Sequence, residues 1–242
     1  MSSQPAVNQR QLVLALVFAS LFPTFTAWLY FLYLGGAANS WTQAAYTAGK
    51  LIQFAFPVVF CWVAQKQLPV NLCRPRSRGI ILGSIFGLGV AAGIMILYFV
   101  GLRGFLERIG TPEAVRQKVV AFGADSPSRF FLLAVFLSVF HSFLEEYYWR
   151  WFVFGKLRSL VTIWPAVVIS SLGFMAHHVL VLYVYLPGRF VSAVLPFSLC
   201  IAFGGGFWAW LYEHERDLYG PWLSHALVDA AIMTVGYHLV FP

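Results

Sequence analysis

Residues 79–102 read GIILGSIFGLGVAAGIMILYFVGL and contain no charged side chain. A helix rises about 1.5 Å per residue, and about 20 apolar residues are enough to cross a hydrocarbon core of about 30 Å. A transmembrane β-strand would instead be about ten residues long and would alternate in polarity, which this run does not do. The stretch therefore predicts one membrane-spanning helix.

Apolar runs of similar length recur along the whole chain. They predict spans near 12–34, 43–65, 79–102, 128–155, 161–183, 190–212 and 221–240. The composition agrees, because 60% of the residues are hydrophobic and only 10% are charged, whereas soluble domains carry about 25% charged residues. The first run exceeds the core of a secretory signal, so we expect that helix to be retained. The sequence predicts an all-α, polytopic transmembrane bundle of about seven spans, forming one integral membrane domain over residues 1–242.

Basic loops predict the orientation of this bundle. Loop 35–42 has no charged residue, whereas loop 66–78 has no acidic residue and four basic ones, Lys66, Arg74, Arg76 and Arg78. By the positive-inside rule, we expect the N-terminus and loop 66–78 to lie in the cytoplasm, with the chain in the cell inner membrane. The formal net charge of +7 is explained by this topology and by contact with anionic lipid headgroups. Because the basic residues are scattered over short loops, we expect no nucleic-acid partner.

Two features between and within the spans predict local structure. Segment 111–122, TPEAVRQKVVAF, has the pattern of a short interfacial helix, with Thr111 as its cap and apolar residues that can lie on the membrane surface. Ser126 followed by proline predicts the start of the fourth span.

Small residues predict close helix contacts in the third span. The pairs Gly83/Gly87 and Gly89/Gly93 have the small-xxx-small spacing that lets two helix backbones approach each other.

Ionisable side chains at membrane depth are few, and such groups usually face the protein interior and mark a functional site. The first cluster is Glu145-Glu146-Tyr-Tyr-Trp-Arg150 in the fourth span. Glu146 and Arg150 are four residues apart and can neutralise each other, which by itself would also suit a purely structural ion pair. Glu145 is rotated by about 100° from Glu146 and is less well served by the same arginine, which suits a general base. His141, four residues before Glu145, is spaced to contact it.

Two further clusters contain histidine. His177 and His178 are adjacent in the fifth span, and we expect at most one of them to face a given site. His225 and Asp229 share a helix face in the seventh span and can hydrogen-bond, which would fix the imidazole tautomer. Together the three clusters supply a base for water and donors for an oxyanion, the groups that peptide-bond hydrolysis needs.

These motifs, in this order, resemble those of the CPBP family, the CAAX-protease and bacteriocin-processing group of glutamic intramembrane proteases. Residues 145–150 (EEYYWR) fit EExxxR, residues 174–178 (FMAHH) fit FxxxH, and residues 225–229 (HALVD) fit HxxxN/D. The resemblance covers about residues 128–240, which it implies are the protease core of an intramembrane endopeptidase. The implied cleavage lies near the C-terminus, or in the membrane segment, of a substrate protein.

The resemblance also implies a role for each matching residue. Glu145 and His178 would activate water, and the motif selects His178 because it follows the motif phenylalanine by four residues. His225 and Asp229 would line the oxyanion site. Many members have asparagine at the position of Asp229, and an ionised aspartate cannot donate to an oxyanion. Asp229 would therefore be protonated, or it would orient His225. The supporting residues would be Glu146 and Arg150.

Two other functions stay open on the residues alone. Glutamate and histidine also bind zinc, so a membrane zinc metalloprotease is one alternative, although no HExxH motif is present. A non-enzymatic proton-coupled carrier or a membrane scaffold is the other, because intramembrane Glu, His and Asp also form proton relays. Our interpretation requires no metal and no cofactor. Its partners are the lipid bilayer and a membrane-associated or lipidated protein or peptide. The sequence does not choose among a prenylated tail, a bacteriocin and a C-terminal sorting signal, and it identifies no substrate-binding residue.

Overall fold

Seven helices long and apolar enough to cross a membrane are found in the computed structural model, which describes residues 8–35, 40–65 and 74–241. The helices are α1 Gln9–Tyr33, α2 Ser40–Ala64, α3 Ser77–Arg108, the short α4 Thr111–Ala121, α5 Pro127–Leu157, α6 Ile163–Tyr185, α7 Phe190–Glu215 and α8 Tyr219–Val240. No strand occurs in the described residues. The prediction of an all-α, seven-span bundle with a short helix after the third span is confirmed, and the protein is a multi-pass integral membrane protein.

Helix α8 packs along α3, and α7 packs along α6, which also contacts α1. The α3–α8 contact depends on two small residues, because a Cβ added at Gly83 would overlap the main-chain carbonyl of Gly220 and one at Gly87 would lie 2.9 Å from the Cα atom of Ser224. The predicted close contact is therefore confirmed for Gly83 and Gly87. It is wrong for Gly89 and Gly93, because a Cβ added at either position would have no described atom of another helix within 4 Å.

The starts of α4 and α5 differ in how well the sequence predicted them. Ser126 caps α5 as predicted, with its hydroxyl accepting a hydrogen bond from the Arg129 amide at 3.4 Å. The prediction that Thr111 caps α4 is wrong, because the cap is Gly110 in the left-handed conformation. The Thr111 hydroxyl instead donates to the main-chain carbonyl of Tyr185 at 2.8 Å. This bond satisfies one of the carbonyls that the end of α6 leaves without an intrahelical partner.

The basic loop before α3 lies beside the turn between α7 and α8. The Arg76 amide donates to the Asp217 carboxylate at 3.0 Å, and Arg78 lies 3.6 Å from Glu215. Lys66 and residues 36–39, which also entered the prediction of orientation, lie outside the described residues. The helices are assigned as spans by length and composition, which does not fix their direction, so the cytoplasmic position of the N-terminus stays a prediction.

Candidate active site

Glu145 lies at the point where α5, α6 and α8 meet. Its Oε1 atom is 3.3 Å from Nε2 of His141 on the same helix and 3.4 Å from Nε2 of His177 on α6. Its Oε2 atom is 3.8 Å from Nε2 of His225 on α8. Only 2% of the Glu145 surface is exposed. The structure thus surrounds one buried carboxylate with imidazoles from three different helices.

Glu146 faces a different set of partners. Its Oε2 atom is 3.0 Å from Nε of Arg150, as the four-residue spacing predicts, and both side chains are completely buried. Its Oε1 atom accepts a hydrogen bond from Nδ1 of His225 at 2.9 Å. Because an ionised carboxylate only accepts hydrogen bonds, Nδ1 carries the proton of this contact. Sequence reasoning missed the Glu146–His225 contact, since the two residues are far apart in the chain and no local spacing relates them.

Asp229 is close to His225 but does not fix its tautomer. The distance from Oδ2 of Asp229 to Nε2 of His225 is 3.6 Å, which is too long for a hydrogen bond. The prediction that these two side chains hydrogen-bond is therefore wrong. The physical reason is that Glu146 approaches the other ring nitrogen more closely and sets the orientation of the imidazole.

Both adjacent histidines of α6 border the Glu145 carboxylate. Glu145, His177 and His178 each offer one nitrogen or oxygen atom, and these three atoms all lie within 4.8 Å of one another. Nδ1 of His178 donates to the carbonyl of Phe174 at 2.9 Å, which leaves Nε2 without a proton in the neutral ring. The expectation that at most one of the two histidines faces the site is wrong, because the carboxylate lies between their two directions. The preference for His178 over His177 stays a prediction.

Aromatic rings pack against the side chains of Arg150 and His225. The guanidinium of Arg150 lies 4.7 Å from the ring centre of Phe174 and 5.3 Å from that of Trp208. Trp208 also stacks on the His225 ring at 4.2 Å and donates through its indole nitrogen to the Ser224 hydroxyl at 2.9 Å. Among the described residues, the two terminal nitrogens of Arg150 have no hydrogen-bond acceptor. Cation–π contacts take the place of those hydrogen bonds.

Glu145 and His225 lie at different distances from the neighbouring ends of their helices. Glu145 lies twelve residues before the end of α5, or about 18 Å, and His225 lies six residues after the start of α8, or about 9 Å. The two side chains are nevertheless in contact. Helix α5 therefore extends about two turns past the start of α8. In addition, α5 has π-helical stretches on both sides of the two glutamates, at Phe136–His141 and Tyr147–Phe154, and such wide turns often occur at functional sites.

These features define a multi-pass helical membrane protein with a buried carboxylate–histidine centre. Residues 127–231 match the model of the family described as type II CAAX prenyl endopeptidase Rce1-like, which confirms the resemblance to the CPBP family. The match includes all three sequence motifs. The matched family is described as one of prenyl endopeptidases, and the match covers fewer than half of the residues of the chain. Searches of curated proteins and of solved structures gave no match to the chain.

Proposed function

We propose that the protein is a glutamic intramembrane endopeptidase that hydrolyses a peptide bond near the C-terminus of a membrane-associated, prenylated protein. The observation that carries this proposal is the contact of the buried Glu145 carboxylate with imidazoles from α5, α6 and α8. A single structural ion pair would not need three additional histidines around a second carboxylate. We also propose that the protein lies in the cell inner membrane with its N-terminus in the cytoplasm. Residues 1–242 would form one integral membrane domain.

Glu145 acts as the general base in the first step. The atoms that Glu145, His177 and His178 offer lie within 4.8 Å of one another, so there is a point no more than about 2.8 Å from each of them, the length of a hydrogen bond to water. Glu145 takes one proton from this water, with His178 as the second group that orients it. The water oxygen then forms a bond to the carbonyl carbon of the substrate, and the carbonyl oxygen becomes negatively charged.

His225 stabilises that oxyanion through Nε2. Because Nδ1 is already used in the bond to Glu146, Nε2 donates only when the ring is an imidazolium ion. Glu146 at Nδ1 and Asp229, 3.6 Å from Nε2, are the counter-charges of this ion. Asp229 therefore acts on the oxyanion through His225, and Arg150 holds Glu146 in place. In the last step the carbon–nitrogen bond breaks, and the leaving amine takes the proton from Glu145.

The first experiment compares Glu145→Gln with Glu107→Gln in purified protein in liposomes. Glu107 is half-exposed and pairs with Arg103 on the surface, so its substitution removes one carboxylate away from the site. Mass spectrometry would follow the release of the C-terminal fragment from a prenylated peptide. We expect Glu145→Gln to lower the rate about 10²- to 10⁴-fold, the usual contribution of a general base, and Glu107→Gln to leave it unchanged. Cleavage by well-folded Glu145→Gln at the wild-type rate would contradict the proposal.

A zinc-dependent peptidase is the second candidate, and the closeness of Glu145, His177 and His178 favours it, because these are zinc-ligand types. The positive charge of Arg150 nearby opposes a bound cation. Exhaustive chelation separates the two mechanisms. Activity that survives supports the glutamic mechanism, whereas activity that is lost and then restored by Zn²⁺ supports the metalloprotease. Ion flux without any cleaved product would favour a carrier instead.

A further inference from the structure

Lys50 is a charged residue of α2 that the mechanism above does not use. It lies ten residues after the start of the helix, about 15 Å along its axis. The Nζ atom is 5.8 Å from the ring centre of Tyr46 and 5.6 Å from that of Phe54, one turn to either side. A lysine that reached toward the membrane surface would extend toward the nearer end of its helix. Lys50 does not, and its ammonium stays at the middle depth of the bundle.

Contacts connect this ammonium to the candidate active site. The Phe54 ring meets the His141 ring edge-on at 5.9 Å, and His141 lies 3.3 Å from Glu145. The Lys50 charge also interacts electrostatically with Glu145 and His177. Lys50 is itself only partly exposed, so its ammonium lies beside these groups without being fully enclosed by them.

Within the described part of the chain, no carboxylate lies within ion-pair distance of Lys50. The salt bridges of the described residues pair Glu145 with histidines and Glu146 with Arg150 and His225. A lysine inside a membrane span is costly, and such residues normally pair or contact a functional pathway. Lys50 is therefore placed to receive a negatively charged group from outside the chain.

We propose that Lys50 binds the terminal carboxylate of the substrate. This inference rests on the proposed function and narrows it, because it favours a C-terminal tail over a bond inside a long membrane segment. In a C-terminal CaaX motif, the free carboxylate lies three residues beyond the prenylated cysteine. Three extended residues span about 10 Å. Contacts of 5.6 and 5.9 Å lead from the Lys50 ammonium through the Phe54 ring to the His141 ring beside Glu145, so the ammonium and that ring are no more than about 11.5 Å apart, which is comparable with the length of such a tail.

The chemistry of a lysine and a carboxylate suits the proposed binding of the substrate terminus by Lys50. A lysine ammonium is a compact point charge that can meet a carboxylate from several directions. Among apolar helices, the attraction between the Lys50 ammonium and a carboxylate is less screened than in water. The rings of Tyr46 and Phe54 on either side hold the ammonium in place, so a tail that ends in a charge would be distinguished from one that ends in a neutral group.

The test measures binding separately from cleavage. Glu145→Gln protein in nanodiscs would be titrated with two farnesylated peptides that end in CaaX, one with a free carboxylate and one with a C-terminal amide. The same titrations would be run on three double variants, in which Glu145→Gln is combined with Lys50→Met, Lys50→Arg or Lys118→Met. Lys118 is the control, because it is also a lysine over two aromatic rings, those of Tyr30 and Phe31, but it is buried and lies on α4.

We expect the free acid to bind about tenfold more tightly than the amide, the effect of one charge-assisted contact. Lys50→Met should abolish this difference, whereas Lys50→Arg and Lys118→Met should retain it. Equal binding of acid and amide to the parent protein would overturn the inference, as would a preference that survives in Lys50→Met. If the preference is present but otherwise wild-type protein does not cleave the acid peptide, the proposed function fails while the binding role of Lys50 stands.

Discussion

Two carboxylate–arginine pairs, one at the start of α5 and one in its buried part, have the same i,i+4 spacing but opposite environments, and substitution of their arginines should have very different effects. Asp125 and Arg129 lie 2.9 Å apart at the start of the helix, and their side chains are 53% and 65% exposed. Glu146 and Arg150 lie 3.0 Å apart in its buried part, and both are 0% exposed. We consider the substitutions Arg129→Met and Arg150→Met, which remove the same charge from each pair.

The expected magnitudes follow from burial. An exposed i,i+4 pair contributes about 0.3–0.5 kcal/mol. Removing one partner of a buried pair costs about 3–5 kcal/mol, because the other charge stays buried without compensation. Arg150 also lies over the rings of Phe174 and Trp208, and these cation–π contacts would be lost with it. Arg150→Met should thus lower the free energy of unfolding about tenfold more than Arg129→Met.

Stability would be measured by titration of the folded protein in mixed micelles with increasing SDS. A double variant, Glu146→Gln with Arg150→Met, provides the second arm, because it removes both charges while the glutamine oxygen can still accept from His225. We expect the double variant to be more stable than Arg150→Met alone. If Arg150→Met destabilises the protein no more than Arg129→Met does, the buried pair does not hold the site together.

Two further predictions concern packing and a hydrogen bond between helices. Gly83→Ala should destabilise the protein by about 1–3 kcal/mol, because the added methyl group would overlap the Gly220 carbonyl. Gly89→Ala, which meets no described atom within 4 Å, should leave stability unchanged or raise it by up to about 1 kcal/mol. Equal effects in the SDS titration would contradict the close α3–α8 contact. Thr111→Val should cost about 1 kcal/mol through loss of the bond to the Tyr185 carbonyl, and Thr111→Ser should not; the same titration distinguishes them.

The sequence predicted the spans well because their cause is local. About 20 apolar residues in a row have one stable arrangement in a bilayer, and this does not depend on which helices become neighbours. The contacts between helices depend on that choice. Gly83 and Gly89 look alike in sequence, but only Gly83 faces α8. The same limit explains Thr111, whose hydroxyl found a partner on α6 that the local capping pattern does not include.

In the candidate site, sequence reasoning identified contacts within one helix and missed those between helices. The spacing of Glu146 and Arg150 predicts their ion pair, and that of His141 and Glu145 predicts their contact. The partner of His225 could not be found in this way, because Glu146 belongs to another span. Lys50 likewise carries no local signal of its position, since its closeness to the site follows from how α2 packs against α5.

His225 connects the two adjacent glutamates of α5 although these face different partners. Its Nδ1 atom bonds to Glu146, which pairs with Arg150, and its Nε2 atom faces Glu145. The Glu146–Arg150 side has no exposed surface, whereas His141 and Asp229, which border the Glu145 side, are each about one-fifth exposed. In the proposed mechanism, Glu145 therefore serves reactivity and its neighbour Glu146 serves stability. It follows that Glu145→Gln should reduce cleavage with little loss of stability, while Arg150→Met should reduce both, because the position of His225 depends on the buried pair.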